Sequence, residues 1–163
     1  MQFMTTLEAL SYIVTILGLP IAIAVFVVQQ RQQRQNEENE LHRTLSEEFD
    51  NFLKLTLDNA DLLLIQGSSQ NRKRTAEQQE RQLILFKILI SLFEKAFIIL
   101  YSNHMTPDTR RMWLSWEDDM RDWCERQDFR NALPKLLEGE DSQFSAHINA
   151  IAKAEVKDVQ NLD

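Results

Sequence analysis

Glycine and proline are nearly missing from this chain, at three of each in 163 residues. Disordered segments and turn-rich β-sandwiches or barrels need many more of both, so neither class fits. A single cysteine, Cys124, cannot close an internal disulfide or furnish a zinc cluster. Positive charge is in deficit, with 18 Lys+Arg against 25 Asp+Glu and a net charge of −7. That balance argues against a dedicated nucleic-acid binder, whose affinity comes largely from neutralising phosphates. Reaction motifs are missing as well. There is no P-loop, no Gly-rich dinucleotide fingerprint, no His-Glu-x-x-His and no Gly-x-Ser-x-Gly elbow. The three histidines, His42, His104 and His147, fall in different segments, so local spacing sets no metal pair. No arginine has a histidine five residues later, which removes the Arg-x4-His signature of one group of helical ribonucleases. The expectation is a non-enzymatic protein with no catalytic residue, cofactor site or metal site.

What the sequence does have, first, is a long run without charge. From Ala9 to Gln30 no charged residue occurs, and Ala9 to Val28 is almost wholly apolar. Twenty helical residues at about 1.5 Å each reach about 30 Å, the thickness of a bilayer's hydrocarbon core. The preceding residues carry only Glu8 and the run ends in Phe26-Val27-Val28-Gln29, unlike the basic start and small-residue end of a cleaved signal peptide. We therefore expect an uncleaved transmembrane helix over residues 9–28. Arg31, Arg34 and Arg43 follow the span and no Lys or Arg precedes it. The positive-inside rule then leaves residues 1–8 outside a bacterial cell membrane and the long C-terminal part in the cytoplasm. Ser11, Thr15, Gly18 and Ala22, spaced 4, 3 and 4, make a small-residue stripe on one helical face, suited to close helix–helix approach in lipid. Pro20 removes one backbone donor, which membrane helices tolerate.

Beyond the span, no glycine or proline intervenes before Gly67, so one helix is expected to run on from the anchor. Residues 29–40 are polar on every side and read as a solvent-exposed stalk. Leu41, Leu45, Phe49, Phe52 and Leu55 or Thr56 then recur on one face and mark the start of a cytoplasmic bundle over residues 41–153. A polar loop, Gly67 to Arg74, leads to Thr75, whose partner Gln78 completes a capping box for a second helix. That helix carries Leu83 to Tyr101 with its polar residues, Lys87, Ser91, Glu94 and Lys95, on one narrow stripe, so the rest is expected to be buried. Thr106-Pro107 caps a third helix. Asp128 is expected to cap a short segment that Pro134 interrupts, and Asp141 to cap a last helix facing inward through Phe144, Ile148 and Ile151. Residues 154–163 form a polar tail. With no strand-like alternation anywhere, the fold class is all-α: a transmembrane helix continuous with a bundle of four to five helices.

The third helix carries the main candidate site. Trp113, Trp116, Met120 and Trp123 share one face, opposite Glu117, Asp118, Asp119, Asp122 and Glu125. Two readings stay open for Trp113, Trp116 and Trp123: core packing, or a groove that binds a cytoplasmic protein partner, since tryptophan is favoured at interface hot spots. Asp118 and Asp122 share a helical face, but Glu117–Arg121 and Asp122–Arg126 salt bridges make it a solvated charged surface. Cys124 has no histidine base nearby and reads as a small packing residue. The Arg72-Lys73-Arg74 cluster reads as a solubilising loop.

Several runs, namely Glu48-Phe49-Asp50-Asn51-Phe52-Leu53-Lys54-Leu55, Ser91-Leu92-Phe93-Glu94-Lys95-Ala96-Phe97, and Trp113-x2-Trp116 with Trp123, Phe129-Arg130 and Phe144, resemble a family of uncharacterised short bacterial single-pass membrane proteins. The resemblance implies the topology and an all-helical cytoplasmic domain, and brings no active site with it. In size and layout the chain is also similar to small anchored proteins that accompany bacterial antiviral nuclease systems, some of which assemble into pores. The expected function is a membrane-anchored homo-oligomeric module that docks a cytoplasmic partner. The alternative is an oligomeric pore-forming effector of stress or antiviral defence, with Ser11 and Thr15 in its lining and Gln29 to Gln35 at its mouth.

Overall fold

The computed structural model describes residues 2–65 and 73–160, without the side chains of 2–17, 19, 34–35, 37–39 and 157–160. Helices and turns make up the described residues, with no strand among them, so the chain is all-α. The elements are α1 (Gln2–Asp58), a 3-10 turn (Ala60–Leu62), α2 (Ala76–Leu100), α3 (Pro107–Glu125), α4 (Gln127–Leu136) and α5 (Ser142–Gln160). Contacts divide the chain into two units, Met1–Arg43 and Thr44–Asp163.

In the first unit the backbone is helical from Gln2 onward and passes through Pro20 without a break. Pro20 to Val28 are all exposed, with Ile21 at 60% and Phe26 at 63%. Gln29 to Gln33 are exposed too. Among the described residues no helix is long and apolar enough to cross a membrane. The expected span over 9–28 lies largely outside the residues whose side chains are described, as do Ser11 and Thr15. Gly18 and Ala22 are exposed, and a Cβ added at Gly18 would meet nothing within 4 Å.

The second unit is a bundle whose elements are cut largely where local chemistry dictates. The capping box at the head of α2 is formed: Gln78 N–H donates to Thr75 Oγ1 at 3.2 Å, and Thr75 N–H donates to Gln78 Oε1 at 3.1 Å. Thr106 Oγ1 accepts from Thr109 N–H at 3.1 Å, with Pro107 at the first helical position where its missing donor costs nothing. Asp141 Oδ1 accepts from Gln143 N–H and Phe144 N–H, both at 2.9 Å, and opens α5.

One boundary departs from expectation. Asp128 is not the cap of α4; Arg126 holds that position without a side-chain cap, and the helix runs through Pro134 to Leu136. Asp128 is drawn away by two arginines and a glutamine. Ahead of the loop, α1 ends at Asp58 and the chain reverses at Leu63, whose φ of 50° is left-handed in a non-glycine residue. Such a conformation costs about 1–2 kcal/mol and must be held by its surroundings.

The core joins Leu45 and Phe52 of α1 to Phe86, Leu89, Ile90 and Phe93 of α2, the α3 indoles, Phe129 and Leu133 of α4, and Phe144 and Ile148 of α5. On α2 more is exposed than the polar stripe: Ile84, Ile88 and Ile98 also face solvent. Ile84 and Ile88 open onto a groove between α1 and α2 rather than into the core. Glu94, by contrast, is half-buried and accepts a hydrogen bond from the Asp141 amide, tying α2 to the start of α5.

Candidate functional site

Trp113, Trp116 and Trp123 are buried, and each is edge-packed on a phenylalanine. Trp113 meets Phe97 at 5.7 Å, Trp116 meets Phe49 at 5.4 Å and Trp123 meets Phe52 at 5.8 Å between ring centroids. Such edge-to-face pairs add about 0.5–1.5 kcal/mol each beyond their buried area. The indoles are packed in the core, and Trp123 also forms part of the wall of a surface groove. A side chain spent on the core offers little area to a partner.

Below Trp123 lies a polar cluster that the sequence did not announce. Arg126, 5% exposed, donates from Nε and Nη2 to the two Asp128 oxygens at 3.1 and 2.8 Å. Its Nη1 donates to the carbonyls of Leu64 at 2.8 Å and Leu63 at 3.4 Å, while its guanidinium lies 5.9 Å from the Trp123 ring centroid. Asp128 also accepts from Gln82 Nε2 at 2.7 Å and Arg74 Nη1 at 3.3 Å, and Arg74 Nη2 donates to the Leu62 carbonyl at 3.3 Å. Two guanidinium groups thus satisfy three successive carbonyls at the left-handed reversal. Arg74 is consequently half-buried rather than part of a free solubilising loop, and Arg126 pairs with Asp128 rather than with Asp122. Burial alone would raise the Asp128 carboxyl; hydrogen bonds from Arg126 and Gln82, with the charges of Arg126 and Arg74, outweigh it and hold the group below the ordinary carboxylate value. This cluster is a clasp that joins α2 and α4 to both ends of the loop, and it leaves no free group for chemistry.

Among the grooves on the surface of this unit, two have largely apolar walls that include residues of α1. One, of about 510 Å³, runs between α1 and α2 with Leu55, Ile84 and Ile88 on its walls and the Glu48–Lys95 ion pair, at 2.6 Å, at one side. The other, of about 540 Å³, runs beside α3, walled by Phe49, Leu53, Leu64, Ile65 and Trp123 and rimmed by Asp119, Asp122 and Glu125. No family model matches the chain, and no curated protein or solved structure matches it either. Function must be argued from these surfaces.

The remaining candidates resolve as follows. Among the described residues no group of three or more His, Cys, Asp or Glu side chains is placed to hold a metal ion. Cys124 is fully buried, and burial, reinforced by Glu155, pushes its thiol up to about 12, which removes the thiolate that nucleophilic chemistry needs. His42 and His104 are exposed. His147 sits 5.4 Å, between ring centroids, from each of Phe97, Tyr101 and Trp113, with Nε2 3.4 Å from Glu117 Oε1. Burial lowers its pKa against the opposing pull of Glu117, so it rests half-buried as a neutral ring at the edge of the core. Glu117 does pair with Arg121, at 3.5 Å.

Proposed function

We propose that this protein is a membrane-anchored, self-associating helical module whose cytoplasmic bundle docks a protein partner. The observation that carries the reading is the helix over Pro20–Val28, charge-free and exposed on all sides. Exposing that much apolar side chain to water is unfavourable by about 25 cal/mol per Å², which lipid or other copies of the same helix would relieve. The arginines that follow favour a cytoplasmic bundle with the N-terminus outside. Gly18 and Ala22, with open space around Gly18, suit close helix contact alongside Ser11 and Thr15. The α1/α2 and α3 grooves, the second with Trp123 in its wall, are the docking surfaces this reading uses.

Alkaline carbonate extraction of expressing cells tests the anchor. The chain is expected in the membrane pellet, and recovery in the supernatant rejects it. Native mass spectrometry in lipid nanodiscs tests self-association: Gly18→Leu is expected to lower the oligomer order, and an unchanged mass removes the stripe as an interface. A pore is the second reading, favoured by the step from exposed apolar residues 20–28 to exposed polar residues 29–33. It requires that expression depolarise cells, and an intact membrane potential counts against it.

A further inference from the structure

We propose that the groove beside α3 binds a cationic amphipathic helix of a partner protein, with the partner's Lys or Arg side chains over Asp119 and Asp122 and its apolar face against Leu53 and Ile65. Unlike the anchor reading, this inference concerns the second unit alone and holds whether or not residues 9–28 enter a membrane.

The groove has the two components such a ligand needs. Its apolar wall is open: Ile65 is 68% exposed and Leu53 is exposed as well, while Phe49 and Trp123 supply aromatic area behind them. Its rim carries Asp119, Asp122 and Glu125. Among the described residues no lysine or arginine forms an ion pair with these carboxylates. Arg126, the one basic residue on the wall, is committed to Asp128 and to the Leu63 and Leu64 carbonyls. Asp119 is half-buried, and among the described residues no arginine or lysine forms an ion pair with it. Burial raises its pKa first, and the neighbouring Asp122 and Asp118 raise it further. A half-buried carboxylate crowded by two others gains from any cation placed over it, because the low local dielectric strengthens the attraction.

The form of the partner follows from the domain. Nothing in an all-helical unit offers a sheet edge to an extended peptide, whose backbone groups would then go unpaired in the groove. A helix satisfies its own backbone and reads the groove through residues at i, i+3, i+4 and i+7. A volume of about 540 Å³ is on the scale of a few side chains, as anchor positions require.

Isothermal titration of the full chain in dodecyl maltoside, with detergent alone as blank, tests the proposal. The probe is a 14-residue Leu/Lys amphipathic helical peptide, and the control is the same peptide with Glu for Lys. The Lys peptide is expected to bind and the Glu peptide not to. Asp119→Asn/Asp122→Asn is expected to weaken binding at least tenfold, and Leu53→Asp to weaken it similarly through the apolar wall. Neutralising a remote acidic pair, Glu77→Gln/Asp108→Asn, is expected to leave affinity unchanged. Absence of binding, equal loss in the remote variant, or an Asp119→Asn/Asp122→Asn variant that binds as tightly as the parent would each overturn the proposal. So would spermine displacing the peptide at equal affinity, since a polyamine has no apolar face to read.

Discussion

Replacing Asp128 by Asn leaves the Arg126 guanidinium in place, 5% exposed, without its anion. Removing one partner of a buried ion pair costs about 3–5 kcal/mol, because the remaining charge stays desolvated. The Leu63 and Leu64 carbonyls continue to accept from Nη1, and an Asn oxygen still accepts one bond, which puts the expected loss at the low end, about 3 kcal/mol. Arg126→Met acts differently. Asp128 would keep Gln82 at 2.7 Å and Arg74 at 3.3 Å, so the main loss is the donor to the Leu63 and Leu64 carbonyls, at about 1–3 kcal/mol for a buried group left unpaired. The order expected is therefore Asp128→Asn the more damaging of the two. The double variant should cost at least about 1 kcal/mol less than the sum, since no buried cation then lacks its anion. Urea unfolding followed by far-ultraviolet circular dichroism and tryptophan fluorescence measures all four corners of this cycle. Additive costs, or an Asp128→Asn loss under about 0.5 kcal/mol, would show that the clasp does not hold the reversal. The pH dependence has a definite sign. The folded pKa of Asp128 is depressed, so its contribution is present above the unfolded value near 3.8 and is lost as pH falls through the lower folded value. The gap between parent and Asp128→Asn should be flat from pH 7 to 5 and close only below 3.8.

Three further outcomes are expected. His147 has a folded pKa lowered below 6.5, so the unfolded chain takes up its proton first as pH falls; the parent should lose stability relative to His147→Phe between pH 7.5 and 5.5, and parallel stability curves for the two would refute the neutral half-buried ring. Cys124, buried and with its thiol pushed up to about 12, should resist Ellman's reagent at pH 8 in the folded protein and react within minutes in urea; fast labelling without urea would place it at the surface. Gly139 has φ of 91° with nothing within 4 Å of an added Cβ, so Gly139→Ala should cost about 1–2 kcal/mol from the backbone alone, and an unchanged unfolding midpoint would contradict that conformation.

The helix starts were legible because each depends on residues within one turn. Thr75 with Gln78, Thr106 with Pro107, and Asp141 ahead of Phe144 each form the cap their spacing implies. The inward faces of α3 and α5 were legible for a related reason: a helix with one apolar stripe has one side it can bury. On α2 that logic gave less. It is apolar nearly all round, so periodicity could not say which isoleucines neighbours would cover, and Ile84, Ile88 and Ile98 stayed exposed.

The reversal at Leu63 shows where local reading stops. No glycine marks it, and what stabilises it is Arg126, more than sixty residues along the chain, together with Arg74 and the aspartate they share. In sequence, Asp128 looks like a cap and Arg126 like an i+4 partner for Asp122, because those are the interactions that short spacing allows. Both local options are weak, about 1 kcal/mol for a cap and 0.3–0.5 for an exposed pair. A buried bidentate bond whose guanidinium also satisfies two carbonyls, with Arg74 on a third, wins over either. The same step exposes the groove: with Arg126 turned inward, the rim of Asp119, Asp122 and Glu125 loses the cation that the sequence had assigned to it. Among the described residues nothing takes the place of that cation beside Asp122, and this acidic rim is what the proposed cationic helix would read.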